Sequence, residues 1–219
     1  MKGVDSNPGS VVVYGASGRT GSRVCAALVA SGVNVIAAGR NQAKLDAVLY
    51  ELGGKTERVS VSINDSPRLC QVLTKGSVVV NCAGPFMLHG RALQDAALAT
   101  GRHCLDMSGE PDFVRATLER DAEARRRGVL LVSGVGFDVV LTDALAALLA
   151  ESLAGEVDAA RVAYSRLDAG PTVGLGWTVL QGLLDGGIAF VEGSLRSEAI
   201  GHDNWTVRFP APTGVRTSG

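Results

Sequence analysis

The chain has 219 residues with 21 Lys+Arg against 22 Asp+Glu, a formal net charge of -1, so its charge balance holds neither a nucleic-acid footprint nor an acidic tail. With 46% hydrophobic and 20% charged residues it can bury a core, which excludes disorder for most of its length. Met1 to Ser10 lack the basic-then-apolar order of a secretion signal and no run of about 18 apolar residues occurs, so a soluble, cytoplasmic protein without a membrane span is expected.

Glycine is abundant: 28 residues are about twice the usual share, so many turns must bring the backbone close to something. Cys25, Cys70, Cys82 and Cys104 are widely spaced, with no Cys-x-x-Cys pair and only His89, His103 and His202 to join them. That pattern predicts reduced cysteines and no metal site.

In chain order, Ser10 to Tyr14 is a short apolar strand closed by Gly15, and Val24, Cys25, Leu28 and Val29 then recur at helical spacing until Gly32. Val33 to Ala38 reads as a second strand, a helix from Asn41 carries Leu45, Val48, Leu49 and Leu52, and Val59 to Ile63 reads as a third strand. Ser66-Pro67 opens a brief helix, with Ser as its cap and Pro at its first position. Val78 to Cys82 is the fourth strand, Ala92 to Thr100 a helix, and His103 to Met107 the fifth strand. Pro111 to Arg127 predicts one solvated helix, acidic at its start and basic at its end, rather than a nucleic-acid patch. Val129 to Val132 completes six strands.

Apolar strands alternating with helices of this length predict an α/β domain, a doubly wound parallel sheet of the Rossmann type, over residues 1–137. From 138 to 219 the pattern changes to a strongly apolar helix at Leu141 to Leu153, a strand at Val157 to Arg166, a helix at Thr172 to Leu184 and a strand at Trp205 to Phe209. Pro210 to Gly214 and a polar tail then close the chain. These residues are few for a complete second domain, so a small or truncated α+β domain is expected there, and the chain reads as shortened.

Gly15-Ala-Ser-Gly-Arg-Thr-Gly21 lies between the first strand and the first helix. Gly15 permits a tight turn, Gly18 lets a diphosphate approach the backbone, Gly21 lets helix and strand pack closely, and the helix-start N–H groups face the anion. Ser17 and Thr20 add hydroxyl donors. The second strand ends in Arg40-Asn41, where an NAD enzyme would place a carboxylate for the ribose hydroxyl; a guanidinium there clamps a 2′-phosphate instead, which predicts NADP. Arg19 offers a second cation. Asp65 either meets the adenine amino group or serves plain turn chemistry.

Asn81-Cys82-Ala83-Gly84-Pro85-Phe86 ends the fourth strand at the carboxyl edge, where ligands of such folds bind. Cys82, Ala83, Gly84 and Pro85 are therefore cofactor candidates. Pro85-Phe86 would form an apolar wall beside a nicotinamide. Cys82 has no visible base beside it, so it is not read as a nucleophile.

No catalytic residue is assigned. The residues four positions after Tyr14, Tyr50 and Tyr164 are Gly18, Gly54 and Asp168, which excludes a Tyr-x-x-x-Lys mechanism. Asp106, Ser108 and Glu110 form the best polar cluster near the expected nicotinamide. Glu110 is expected to help start the helix at Pro111, Asp138 and Asp143 to cap, and His103 to be structural.

The glycine loop, Gly39-Arg40, Asn81 to Phe86, His103-Cys-Leu-Asp-Met-Ser-Gly-Glu110 and Gly136-Phe-Asp138 with Asp143 together resemble the saccharopine dehydrogenase-like oxidoreductases, a group that includes saccharopine reductases and trans-acting enoyl reductases. Gly170 to Gly174 resembles the family's substrate-domain helix. The resemblance implies an NADP-binding domain followed by an α+β domain that closes over a small-molecule substrate and often pairs two subunits into a homodimer. The expected function is hydride transfer between NADPH and a small or acyl-type substrate; the alternative is a non-catalytic NADP-binding sensor or interaction protein.

Overall fold

The structure, a computed structural model, describes residues 9–52, 56–153, 155, 157, 160–163, 187–191, 194–198 and 205–217. Two units follow from its contacts, Met1–Gly136 and Phe137–Gly219.

The first unit is built on six parallel strands: β1 Val11–Tyr14, β2 Val35–Gly39, β3 Glu57–Ser60, β4 Val78–Asn81, β5 His103–Asp106 and β6 Leu131–Val132. Their order is β3-β2-β1-β4-β5-β6, the doubly wound α/β arrangement. β1 sits centrally, in register with β2 (Val12 opposite Ile36) and with β4 (Val12 opposite Val79). Helices α1 Arg19–Ala30, α2 Gln42–Glu51, α3 Ser66–Leu73, α4 Phe86–Thr100, α5 Pro111–Leu118 and α6 Asp121–Arg127 connect the strands.

Strand residues alternate between faces, and the alternation divides the core. Val12, Tyr14, Ile36, Ala38 and Val79 pack with Leu69 and Leu73 of α3 and Leu93 of α4. Val13, Val35, Ala37 and Val80 point the other way, onto Cys25 of α1 and Leu45 of α2. Leu45, Leu69, Leu73 and Leu93 are fully buried, and truncating any of them to Ala costs about 2–5 kcal/mol.

Several boundaries differ from the sequence reading. β3 begins and ends earlier than Val59 to Ile63, because its pairing with β2 runs from Glu57 to Ser60. The cap of α3 is Asp65, not Ser66: its Oδ1 accepts the Arg68 N–H at 3.2 Å, which leaves Pro67 in the first turn. The basic segment forms two helices. Arg120 turns inward at the break, its Nη2 donating to Asp95 at 2.6 Å and to Glu123 at 3.1 Å. The Arg125 to Arg127 run is paired within α6, Arg125 with Asp121 at 2.7 Å and Arg127 with Glu123 at 3.4 Å.

The second unit contains α7 Phe137–Ser152, the hairpin of β7 Gly187–Val191 with β8 Ser194–Glu198, and a ribbon of β9 Thr206–Arg208 with β10 Val215–Thr217. α7 buries none of its residues, and Asp143 lies in its interior rather than at a cap. Residues 157 and 160–163 carry no strand; the remainder of the expected strand to Arg166, the expected helix at Thr172 to Leu184 and Gly170 to Gly174 lie outside the described residues. Among the described residues no helix is long and apolar enough to cross a membrane.

Candidate functional site

The strand order reverses between β1 and β4, and in doubly wound sheets the place outside the carboxyl ends of the strands at such a reversal is where ligands bind. Gly15 leaves β1 with φ +80°, and a Cβ there would lie 2.9 Å from the Ala83 nitrogen and 3.0 Å from the Cys82 carbonyl carbon. The two strand exits therefore abut backbone to backbone, which only glycine at position 15 permits. A methyl at Gly21 would run into the Gly15 carbonyl oxygen and sit 2.8 Å from Ala16 Cα, so the first turn of α1 packs directly on the loop.

Gly18 is different. It is the N-cap of α1 at φ -82° and ψ 164°, a conformation open to any residue, and a Cβ there would approach only the Gly15 carbonyl oxygen, at 3.2 Å. Gly18 itself has no side chain with which to cap α1. The fold makes little demand for glycine at 18, whereas an approaching ligand would. A helix opening with no Cβ at its cap suits a dinucleotide diphosphate.

The other predicted residues divide into two sets. Gly39 adjoins the loop, since a Cβ on it would be 3.9 Å from Ser17 Oγ, and Arg40 follows as an exposed residue at the bend after β2. Arg19 and Thr20 are exposed at the start of α1. Cys82 and Ala83 meet Gly15, and Gly84 and Pro85 lead directly into α4. Asn41 and Asp65, by contrast, are used by the protein itself. Asn41 Oδ1 accepts the Lys44 N–H at 3.0 Å and caps α2, as Asp65 caps α3.

A family model, the saccharopine dehydrogenase NADP-binding domain, matches residues 11–132, a span that contains all six strands and every residue of this edge. The chain belongs to that family. It is 34% identical over 160 residues to a lipid droplet localized protein of Caenorhabditis elegans, covering 68% of this chain and 38% of that one. Against the human saccharopine dehydrogenase-like oxidoreductase it is 30% identical over 157 residues, 64% of this chain and 37% of the relative. A Mycobacterium tuberculosis protein named as a trans-acting enoyl reductase is 31% identical over 139 residues, 61% and 33% of the two chains. The chain thus spans less than two fifths of the length of these curated relatives. Apo saccharopine dehydrogenase (L-Glu forming) of Saccharomyces cerevisiae shares the fold, with a TM-score of 0.56 at 23% identity, over 66% of this chain and 31% of that one.

Within this member of the family, the polar cluster past β5 is a scaffold. Asp106 Oδ1 accepts the Ser133 hydroxyl at 2.7 Å, the Ser108 N–H at 3.0 Å and the Gly134 N–H at 3.3 Å. Burial raises the Asp106 pKa, with nearby Glu110 adding slightly, while these three donors lower it. Glu110 starts the helix at Pro111 through its backbone, as the N-cap whose carbonyl accepts the Val114 N–H at 3.1 Å, and not through its carboxylate. Its side chain is longer than a usual N-cap, makes no bond to α5, and reaches the start of α4 instead. His103 is structural: its Nδ1 accepts the Leu130 N–H at 3.0 Å.

Burial pushes the Cys82 thiol up to about 12, with Cys25 adding to the rise, so it stays protonated at neutral pH and is no nucleophile. Among the described residues, no three His, Cys, Asp or Glu side chains gather as a metal site. Sequence reasoning missed the turn made by Asn81, whose buried Oδ1 accepts the Ala83 N–H at 2.9 Å. It also missed the linkage of Asp106 to Ser133 and Gly134. The spacing of 106, 108 and 110, one polar residue at every second position off a strand, was the available signal for part of it.

Proposed function

We propose that this chain binds NADPH in the crevice between β1 and β4 and serves an oxidoreductase that moves a hydride between NADPH and a small or acyl-type substrate. The observation that carries the reading is the glycine opening of α1, with Gly18 at its cap, at the point where the strand order reverses. Its amides would hold the diphosphate, with Ser17 and Thr20 as further donors, and Arg40 and Arg19 would hold the 2′-phosphate. Bound nicotinamide supplies the hydride. The chain's own part is to bind and orient: Cys82 to Pro85 form the wall of the crevice, and Phe86 adds apolar surface behind it.

An acyl-type substrate is supported by composition and by one relative. From Gly170 to Leu195 the only ionisable residues are Asp185 and Glu192, so no cation there pairs a substrate carboxylate, and the mycobacterial relative bears an enoyl reductase name. The apolar helix α7, which has no Lys or Arg, supports a homodimer formed through the second unit. Fluorescence titration should show tighter binding of NADPH than of NADH; equal affinities would defeat the NADP assignment. Oxidation of NADPH by a panel of enoyl, carbonyl and imine compounds then finds the acceptor.

A second reading, an NADP-binding sensor without turnover, is favoured by one observation: at this edge Asp106 and Glu110 are committed to neighbours and Cys82 is held as a thiol. Tight NADPH binding with no acceptor oxidising it would decide for that reading.

A further inference from the structure

We propose that Glu110 is a positioning residue for the nicotinamide half of the cofactor, acting through the opening of α4; the inference rests on the cofactor reading above. α4 begins at Phe86, immediately after Gly84 and Pro85 at the carboxyl end of β4. Its N-cap is Pro85, which has no oxygen on its side chain to offer the orphan amides. They are met from far along the chain. The Phe86 N–H donates to Glu110 Oε1 at 2.9 Å and the Met87 N–H to Oε2 at 2.8 Å.

Both carboxylate oxygens thus hold two successive peptide groups, which fixes the direction of the segment as well as its place. Glu110 is fixed in turn. Its N–H donates to Ser108 Oγ at 3.0 Å, the Ser108 N–H donates to Asp106 Oδ1, and that carboxylate takes Ser133 and Gly134 after β6. Ser108 and Asp106 are 0% and 1% exposed, so the middle of the chain of bonds is sheltered from water. It runs from the exit of β6, past the exit of β5, to the first turn of α4.

The apolar side of the same segment is held from the same place. The Phe86 ring lies 5.9 Å from that of Phe113 in α5, and a side chain at Gly90 would strike the Phe113 ring. Residues 86 and 87, which directly follow Gly84 and Pro85, are therefore gripped by a carboxylate and by a ring, both from the start of α5. A helix needing only a cap would take Ser or Asp at 85. This one has a rigid Pro there and a distant carboxylate, at the edge where the wall must be placed to within fractions of an ångström to orient a ring.

The test uses the full chain, NADPH, and 2′-phosphoadenosine 5′-diphosphoribose, which is the cofactor without its nicotinamide. In Glu110→Ala, NADPH affinity should fall about tenfold while the nicotinamide-free ligand stays within about twofold, and Glu110→Gln, which keeps one acceptor oxygen, should lie between wild type and Ala. Equal weakening of both ligands would make Glu110 an ordinary structural cap, and no change in either would remove its role; both results overturn the proposal. If Glu110→Ala fails to fold, Glu110→Gln and Phe113→Leu are read by the same pair of ligands. Wild-type protein that binds neither ligand overturns the cofactor reading first and this inference with it.

Discussion

α1 and α4 follow adjacent parallel strands, and each brings its first-turn amides to the carboxyl edge of the sheet. Their positive ends attract an anion equally well by position in the fold. The side chains make the difference. α4 is closed by the protein's own carboxylate, Glu110, whereas α1 starts at Gly18, which has no side chain with which to cap it. On the cofactor reading proposed above, the edge is thus divided in two, one opening fastened to hold a wall still and the other kept for a ligand. The fold supplies both openings, and which of them is a site is written in a few side chains.

The largest effect should come from destroying the loop that presents the α1 opening. In Gly21→Val the new side chain meets the Gly15 carbonyl oxygen and the Ala16 backbone, which are not free to move, so a loss on the order of 3 kcal/mol is expected in urea unfolding, with no NADPH binding. A sharper test makes α1 resemble α4. Gly18→Asp places a carboxylate at an N-cap whose φ and ψ already suit it, so the melting temperature should hold or rise, while NADPH affinity falls about 100-fold because the new anion occupies the diphosphate's place. Unchanged affinity in that variant would show that the diphosphate binds elsewhere.

How far this contrast was readable beforehand follows from the range of the interactions. The α1 opening was legible because strand, glycine loop and helix are contiguous, and apolar periodicity marks each boundary. The α4 opening was not: Pro85 and Gly90 interrupt the local pattern, so the helix was expected only from Ala92, and the partner of its first amide is 24 residues distant. The same reason applies to α5 and α6, whose charge pattern is continuous although Arg120, bonded to Asp95 and Gln94 of α4, breaks the helix between them. In the second unit, α7 was legible from composition. The β7–β8 hairpin was hidden by short strands set among glycines, and β10 by its resemblance to a polar tail.

A smaller effect, confined to one ligand, should come from Arg40→Ala. The residue is exposed at the end of β2, so stability should change by less than about 0.5 kcal/mol. NADPH affinity should drop about tenfold while NADH affinity stays within about twofold, because only the former carries the phosphate. Parallel losses for both would mean that Arg40 supports the loop rather than selecting the coenzyme.

The smallest effect lies behind the fastened opening, in Asp106. Burial raises its pKa above the ordinary 3.8, and the Ser133 hydroxyl and the Ser108 and Gly134 amides only partly offset this. A carboxyl group that holds its proton more tightly when folded stabilises the fold at low pH and gives that contribution up as the pH climbs from about 3.8 through the raised value. Asp106→Asn keeps the oxygen that accepts all three hydrogen bonds and replaces the second oxygen with a neutral donor. Wild type and variant should therefore match near pH 4, and by pH 7 the variant should equal or exceed wild type by up to about 1 kcal/mol in urea unfolding. A variant that is instead markedly weaker at pH 7, and weaker still in NADPH binding, would mean that the charge on Asp106 is needed to hold the Ser108–Glu110 strap, and with it α4, in place.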